Sequence, residues 1–275
     1  MLVNKDLLFD EGITAGMRGD TDKAIESFRK VVELDPEYVP AMYQLGKAYL
    51  KKGDFAAAIE TLTQAAAKRP DQASIHVDLG QAYLCTNEPE NAQKAFTKAL
   101  AFEDGNARAI TGLAQVYFRN EQWERAASHA KLVLLSSPMN FAALYILGTA
   151  SHNLRNATES HEAFQKATDI VNQFLNLKPN QTEGHFLLGE IYFYQAMLDK
   201  ALENYDLAEK YAGDAVSFVA FGLSFSRTDL QSRLGLCYKR LGKLDKARQM
   251  GEKILGREPE SMVGRELVQG KPGQD

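Results

Sequence analysis

The sequence predicts an all-α solenoid of about seven helix–turn–helix repeats. The first observation is a small residue that recurs every 34 residues, at Gly12, Gly46, Gly80, Ala114 and Gly148. The second is another small residue twelve positions after each of these, at Ala24, Ala58, Ala92, Ala126 and Ser160. A 34-residue period with two apolar helical patterns per unit is typical of helical repeat solenoids. Such a fold predicts a binding surface, but it does not identify the ligand.

The first five repeats follow this period in order. If Lys5 is position 1, repeats begin at Lys5, Val39, Ala73, Ala107 and Phe141, with helices at positions 1–14 and 18–31. In repeat 2 the first helix presents Met42, Leu45, Gly46 and Tyr49 on one face. Gly53 follows at the turn, where a positive φ is expected. Prolines end the second helices at position 32, as Pro36, Pro70 and Pro138.

Close helix packing explains the recurring small residues. We expect Gly46 on the first helix and Ala58 on the second to let the two backbones approach, with Tyr49 beside them. A single repeat cannot bury this surface alone, so the repeats are stable only when they stack.

The register breaks after repeat 5. Its second helix continues to Pro179, and repeat 6 restarts near Thr182. An apolar insertion follows at 214–227, and we expect it to extend a helix, cover neighbouring helices or face a partner. Gly251 replaces a large apolar residue, which predicts a loosely packed or partner-covered end. We predict one solenoid over 1–275, with regular repeats at 5–140, an extended repeat at 141–181, an irregular repeat with the insertion at 182–227, a last repeat at 228–259, and a disordered or briefly helical tail at 260–275.

These repeats resemble the tetratricopeptide repeat family from about Lys5 to Pro259. Repeat 2 matches the family pattern with Met42, Leu45, Gly46, Tyr49, Ala58, Leu62, Ala65 and Pro70. The resemblance implies a right-handed superhelix that acts as a non-enzymatic protein–protein interaction scaffold and holds a peptide segment of a partner in its concave groove. Two alternatives remain open: a structural protein that self-assembles through its terminal repeats, and a regulatory peptide-sensing module of a larger system.

The resemblance also implies which first-helix side chains line the groove. They are Tyr43, Lys47, Leu50, Val77, Gln81, Leu84, Thr111, Gln115, Phe118, Tyr145, Thr149, His152, Phe186 and Glu190. We expect aromatic anchors outside the core at Tyr43, Phe118 and Tyr145, and polar groups that pair with the peptide backbone at Gln81, Gln115 and Thr149. Family members that hold the carboxylate tail of heat-shock chaperones carry Lys and Asn where this chain has Phe9 and Ile13, so that function is disfavoured.

Composition and motifs disfavour other functions. A net charge of −4 argues against nucleic-acid binding, and no apolar run approaches the roughly 20 residues that insertion into a membrane requires. Cys85 and Cys237 lie in different repeats, so a reducing cytoplasm is expected. The five histidines are scattered, and no phosphate-binding loop or nucleophile motif occurs. The sequence therefore predicts no catalytic residue, metal or cofactor, and a protein or peptide as the partner.

Overall fold

The computed structural model describes residues 4–269, except for the side chain of Ser224. These residues form fifteen helices and two short strands, and the helices follow one another in packed pairs. The all-α helical-repeat class is therefore confirmed. The chain divides into two compact units, Met1–Ser136 and Ser137–Asp275. A single solenoid over 1–275 stays a prediction.

The first unit contains four helix pairs. They are α1 (Lys5–Arg18) with α2 (Thr21–Leu34), α3 (Val39–Lys52) with α4 (Phe55–Lys68), α5 (Ala73–Cys85) with α6 (Pro89–Phe102), and α7 (Ala107–Arg119) with α8 (Trp123–Ser136). Within the unit each helix also packs against the next one along the chain. These bounds agree with the predicted helices to within one residue, because the 34-residue pattern marks both the faces and the turns.

The second unit contains three helix pairs, one hairpin and a final short helix. They are α9 (Phe141–Asn153) with α10 (Ala157–Leu177), α11 (Thr182–Tyr194) with α12 (Leu198–Tyr211), β1 (Ser217–Ala220) with β2 (Leu223–Ser226), α13 (Arg227–Arg240) with α14 (Leu244–Arg257), and α15 (Met262–Gln269). The α10 helix has 21 residues, which agrees with the extended second helix predicted in repeat 5.

The glycine at position 8 of a repeat makes room for the large side chain at position 24. A Cβ atom added to Gly46 would lie 2.6 Å from Leu62 Cγ, far inside normal van der Waals contact. The same relation joins other pairs in both units: Gly12 with Phe28, Gly80 with Phe96, Gly148 with Phe164, and Gly189 with Tyr205. The close approach of Gly46 and Ala58 stays a prediction; in repeat 5 the equivalent pair is in contact, since the Ser160 hydroxyl donates to the Gly148 carbonyl at 2.8 Å.

A left-handed residue occupies the turn at position 15 of every repeat. Gly19, Gly53 and Gly242 adopt φ values of 83°, 83° and 72° there. Four repeats place a residue with a side chain in the same conformation, with φ between 55° and 60°, at Asn87, Glu121, Arg155 and Ala196. The packing of the two helices therefore imposes the turn even where glycine is absent, at a conformational cost.

The insertion at 214–227 forms an antiparallel hairpin, which the sequence analysis did not predict. Strands β1 and β2 pair from Ser217 with Ser226 to Ala220 with Leu223. The two turn residues, Phe221 and Gly222, have φ values of 53° and 78°, as a two-residue hairpin turn requires. The segment covers neighbouring helices, as expected, because the Phe221 ring packs against Phe141 of α9 and Phe174 of α10, with centroids 4.9 and 5.2 Å apart.

Helix α15 closes the end of the second unit. A Cβ atom at Gly251 would lie 2.7 Å from the carbonyl oxygen of Gly264, so α15 occupies the space that Gly251 leaves. Leu267 of α15 is 2% exposed and packs against Gly235. The expected loosely packed or partner-covered end was therefore wrong. The tail is helical over Met262–Gln269, and residues 270–275 of the predicted tail lie outside the described residues.

Candidate functional site

Six of the predicted groove side chains in the first unit reach the surface of its first helices. They are the half-buried or exposed residues Tyr43, Lys47 and Leu50 on α3, Gln81 on α5, and Thr111 and Phe118 on α7. The other three are buried: Val77 and Leu84 are each 2% exposed and Gln115 is 8% exposed. Val77 and Leu84 pack in the core beside Phe96, so they support the face without forming its surface. We call the six accessible side chains the first-helix face.

A buried carboxylate organises the middle of this face. Asp78 on α5 is 3% exposed and accepts a hydrogen bond from the Tyr43 hydroxyl at 2.8 Å. Arg108 on α7 pairs with the other carboxylate oxygen. Burial, helped by the charge of Asp78, raises the pKa of Tyr43 to about 12, so the hydroxyl remains a donor at neutral pH. Asp78 therefore links α3, α5 and α7 and fixes the Tyr43 ring.

Sequence reasoning missed Asp78 and Arg108 as parts of the site. The available signal was a single acidic residue between the apolar residues Val77 and Leu79, since a buried carboxylate requires a donor or a cation. The pairing with Arg108 could not be predicted from spacing alone, because 30 residues separate the two side chains.

Aromatic and cationic groups flank the Asp78 link. The Lys47 ammonium lies 5.4 Å from the centroid of the Tyr43 ring, within the range of a cation–π contact. The half-buried Phe118 ring meets Trp123 edge to face, with centroids 5.8 Å apart. Polar groups here make local bonds: Thr111 donates to the Ala107 carbonyl at 2.7 Å, and the Gln81 amide donates to the Cys85 sulfur at 3.8 Å.

The second unit buries four of its five predicted groove residues. Tyr145 is 6% exposed, Thr149 is 0%, Phe186 is 6% and Glu190 is 4%, whereas His152 is exposed. The expectation that Tyr145 lies outside the core is therefore wrong. No hydrogen-bond partner of the Thr149 hydroxyl occurs within residues 4–269, although we expected it to face a peptide backbone.

Glu190 is the centre of a buried polar cluster in this unit. Its Oε2 accepts from the Tyr145 hydroxyl at 3.0 Å, and its Oε1 accepts from the Tyr205 hydroxyl at 2.6 Å. The Nε atom of Arg233 lies 2.7 Å from the same Oε1. Burial, with the Glu190 charge, raises the pKa of both tyrosines well above the usual value, so both hydroxyls stay protonated donors. These contacts satisfy the carboxylate within the unit.

The hairpin covers the remaining aromatic candidate. The Phe186 ring on α11 stacks on Phe225 of β2, with centroids 3.7 Å apart and planes inclined by 13°. Phe225 in turn stacks on Phe218 of β1 at 5.0 Å. The insertion therefore takes the place that a partner's side chain was expected to occupy at Phe186.

Within residues 4–269, no three His, Cys, Asp or Glu side chains come together as they would around a metal ion. None of the described helices combines the length and apolar character needed to cross a membrane.

Family models of the tetratricopeptide repeat match most of the chain. One model matches residues 17–77 and 50–96, a second matches 111–173, and a third matches 229–261. No curated protein matches the sequence at a significant level.

Solved structures show the same architecture. A crystal structure of MamA protein is 27% identical, with a TM-score of 0.55, and the match covers 60% of this chain and 90% of that one. A tetratricopeptide repeat protein from Parabacteroides merdae is 14% identical, with a TM-score of 0.65 and coverage of 97% and 98%. The Cut9–Hcn1 hetero-tetramer of the APC/C gives 16% identity and a TM-score of 0.71, and the match covers 97% of this chain and 49% of that chain. The last two likenesses concern the fold alone.

Proposed function

The chain belongs to the tetratricopeptide repeat family, and we propose that it is a non-enzymatic scaffold that binds a peptide segment of a partner protein on the first-helix face. One observation carries this proposal. Asp78 holds Tyr43 and Arg108, on three successive first helices, in a fixed arrangement while neighbouring side chains stay accessible. A pre-organised surface loses less side-chain entropy when it binds an extended peptide.

The chemistry of the face suits a peptide with apolar residues and at least one carboxylate. Tyr43 and Phe118 offer aromatic area, and the exposed ammonium of Lys47 favours a negative charge beside Tyr43. Besides their local bonds, Gln81 keeps a second amide N–H and its carbonyl oxygen, and Thr111 keeps its hydroxyl oxygen as an acceptor, so both half-buried groups can pair with a peptide backbone.

We restrict the proposed site to the first unit. Tyr145, Phe186 and Glu190 already have intramolecular partners in the second unit. A peptide that used them would have to displace the Phe225 ring and separate Glu190 from Arg233, and breaking such a pair is costly because it leaves a charge without its partner.

A peptide selected from a random display library against the full chain tests the proposal. Trp123 is the only tryptophan and contacts Phe118, so its fluorescence reports binding at this end of the face. We expect Phe118→Ala to weaken binding about thirtyfold, because truncation of an aromatic anchor costs about 2 kcal/mol. For this variant the affinity is measured by anisotropy of the labelled peptide, since the mutation also changes the surroundings of Trp123.

Two matched variants control for non-specific effects. Leu132→Ala removes an exposed apolar side chain from α8 of the same repeat, and Lys94→Ala removes an exposed cation from α6. Both lie on second helices, so we expect both to bind as the wild type does, whereas Lys47→Ala weakens binding. Equal losses in the first-helix variants and these controls would refute the location of the site.

Self-assembly through the terminal repeats remains the alternative proposal. Leu7 on α1 is 68% exposed and Met262 on α15 is 84% exposed, so the terminal helices each present an apolar side chain. Light scattering over a range of concentrations decides it, since a constant monomeric mass would exclude assembly of this kind. A cytoplasmic location also stays a prediction.

A further inference from the structure

A pocket of about 340 Å³ lies where the first repeat meets the second, between α1, α2 and α3. Its floor is apolar, and its rim carries two ammonium groups. The lining side chains that matter here are Ile13 and Met17 from α1, Phe28 from α2, and Lys47 and Lys51 from α3. The volume suits one large apolar side chain with part of its backbone.

The pocket exists because one repeat lacks a side chain at position 12. The equivalent residues of the next four repeats are Leu50, Leu84, Phe118 and His152, whereas the first repeat has Gly16. A Cβ atom at Gly16 would approach only the Ala24 methyl group, at 4.0 Å, so close packing does not require this glycine. It differs in this respect from Gly12, where a Cβ would lie 2.6 Å from the Phe28 ring.

The two lysines at the rim differ from the other lysines of the first two repeats. Five of the seven lysines in the first two repeats have a carboxylate within 4.0 Å: Lys5, Lys23, Lys30, Lys52 and Lys68. Among the described residues, Lys47 and Lys51 have no such partner. Lys51 Nζ instead lies 3.5 Å from the Gly16 carbonyl oxygen, which places its positive charge at the mouth of the pocket.

We propose that this pocket anchors an acidic peptide by taking one large apolar side chain, while Lys47 and Lys51 pair with Asp or Glu residues on either side of it. The two lysines are one helical turn apart on α3, so they can meet carboxylates that flank a single residue. Lys47 also belongs to the first-helix face, and the anchor therefore rests on the function proposed above and gives that face one defined end.

Acetylated Asp-Glu-Leu-Asp-Glu is the probe, and the ¹³C-labelled methyl group of Met17 is the reporter. Met17 is 85% exposed and lines the pocket, and Met17→Leu identifies its signal among the seven methionines. We expect the probe to shift the Met17 signal of the full chain. We expect no shift with Asp-Glu-Gly-Asp-Glu, which lacks the apolar side chain, or with Lys-Lys-Leu-Lys-Lys, which reverses the charge.

Gly16→Leu is the decisive variant, because a Cβ atom at Gly16 meets no atom closer than 4.0 Å and a leucine side chain on it is expected to occupy the pocket. It supplies the side chain that other repeats carry at position 12, so we expect the variant to unfold at the same or a higher urea concentration. We expect it no longer to bind the probe. Lys47→Glu with Lys51→Glu should weaken binding by at least about tenfold. The matched pair Lys94→Glu with Lys98→Glu makes the same charge change at the same spacing on the exposed surface of α6, and should bind normally.

Each outcome supports or overturns the anchor. An unmoved Met17 signal with millimolar probe, wild-type binding by folded Gly16→Leu, or equal binding of the Leu and Gly peptides would overturn it. If Gly16→Leu binds a display-selected peptide normally while Phe118→Ala does not, the anchor fails and the first-helix face stands. If only Gly16→Leu and the Lys47/Lys51 double variant weaken binding of the display-selected peptide, the pocket is supported and the wider first-helix face is refuted.

Discussion

The fit between Gly46 and Leu62 provides the sharpest test of how the repeats pack. A Cβ added by Gly46→Ala would lie 2.6 Å from Leu62 Cγ, about 1 Å inside normal contact. Overpacking of this kind costs about 1–3 kcal/mol, and the gain in helix propensity returns about 1 kcal/mol. Gly46→Ala alone should therefore destabilise the first unit by up to about 2 kcal/mol. Leu62→Ala, at a fully buried side chain, should cost about 2–5 kcal/mol.

The double variant separates this mechanism from general damage. Leu62→Ala removes the atoms that the new methyl group would meet, so the second substitution should add nothing or partly restore stability. We expect a coupling energy of about 1–3 kcal/mol, measured by urea unfolding with Trp123 fluorescence and circular dichroism. Gly16→Ala with Leu62→Ala is the matched control and should be additive, because Gly16 has only the Ala24 methyl group within 4.0 Å. Additive effects of Gly46→Ala and Leu62→Ala would contradict the packing model.

Three further predictions concern other parts of the fold. Glu190→Ala should cost about 3 kcal/mol in urea unfolding, because it leaves the half-buried Arg233 guanidinium without its carboxylate, and Arg233→Met in the same chain should recover much of the loss. Ala196→Gly should stabilise the chain by about 0.5–1 kcal/mol, since it relieves the strain of a φ of 58° at a residue with a side chain. Gly53→Ala should destabilise the chain for the converse reason. Thermal melts that show the opposite signs would contradict this. Burial lowers the pKa of His76 in the folded chain. As the pH falls through the ordinary histidine pKa of about 6.5, the unfolded chain therefore binds a proton that the folded chain does not. Stability should fall as the pH is lowered from about 7 toward 5. His76→Gln should lack that part of the pH dependence.

Helix positions were predictable from sequence because the repeat marks them redundantly. Gly53 marks a turn and Pro70 marks a helix end, and the apolar face of repeat 2 has the helical period between them. Each signal is local, so helix bounds follow without knowledge of distant contacts. The hairpin was missed because the sequence between its strands does not resemble a usual hairpin turn. The first turn residue is Phe221, where Asn, Asp or Gly is usual.

The candidate site was predictable only in part, since family position gives the direction of a side chain but not its neighbours. Tyr43 is half-buried and Lys47 is exposed on α3, so both side chains are accessible to a partner. Tyr145 can be buried because Glu190, 45 residues away, accepts a hydrogen bond from its hydroxyl. Such long-range polar pairs have no signal in a single sequence, and neither has the covering of Phe186 by the insertion.

Photo-crosslinking of a display-selected peptide tests the central claim most directly. A benzophenone side chain is placed at Thr111 on the first-helix face of α7, or at Lys94 on the exposed face of α6 as the matched control. We predict that the peptide crosslinks at Thr111 and not at Lys94, and that unlabelled peptide competes for the crosslink. A crosslink at Lys94 with none at Thr111 would contradict peptide binding on the first-helix face.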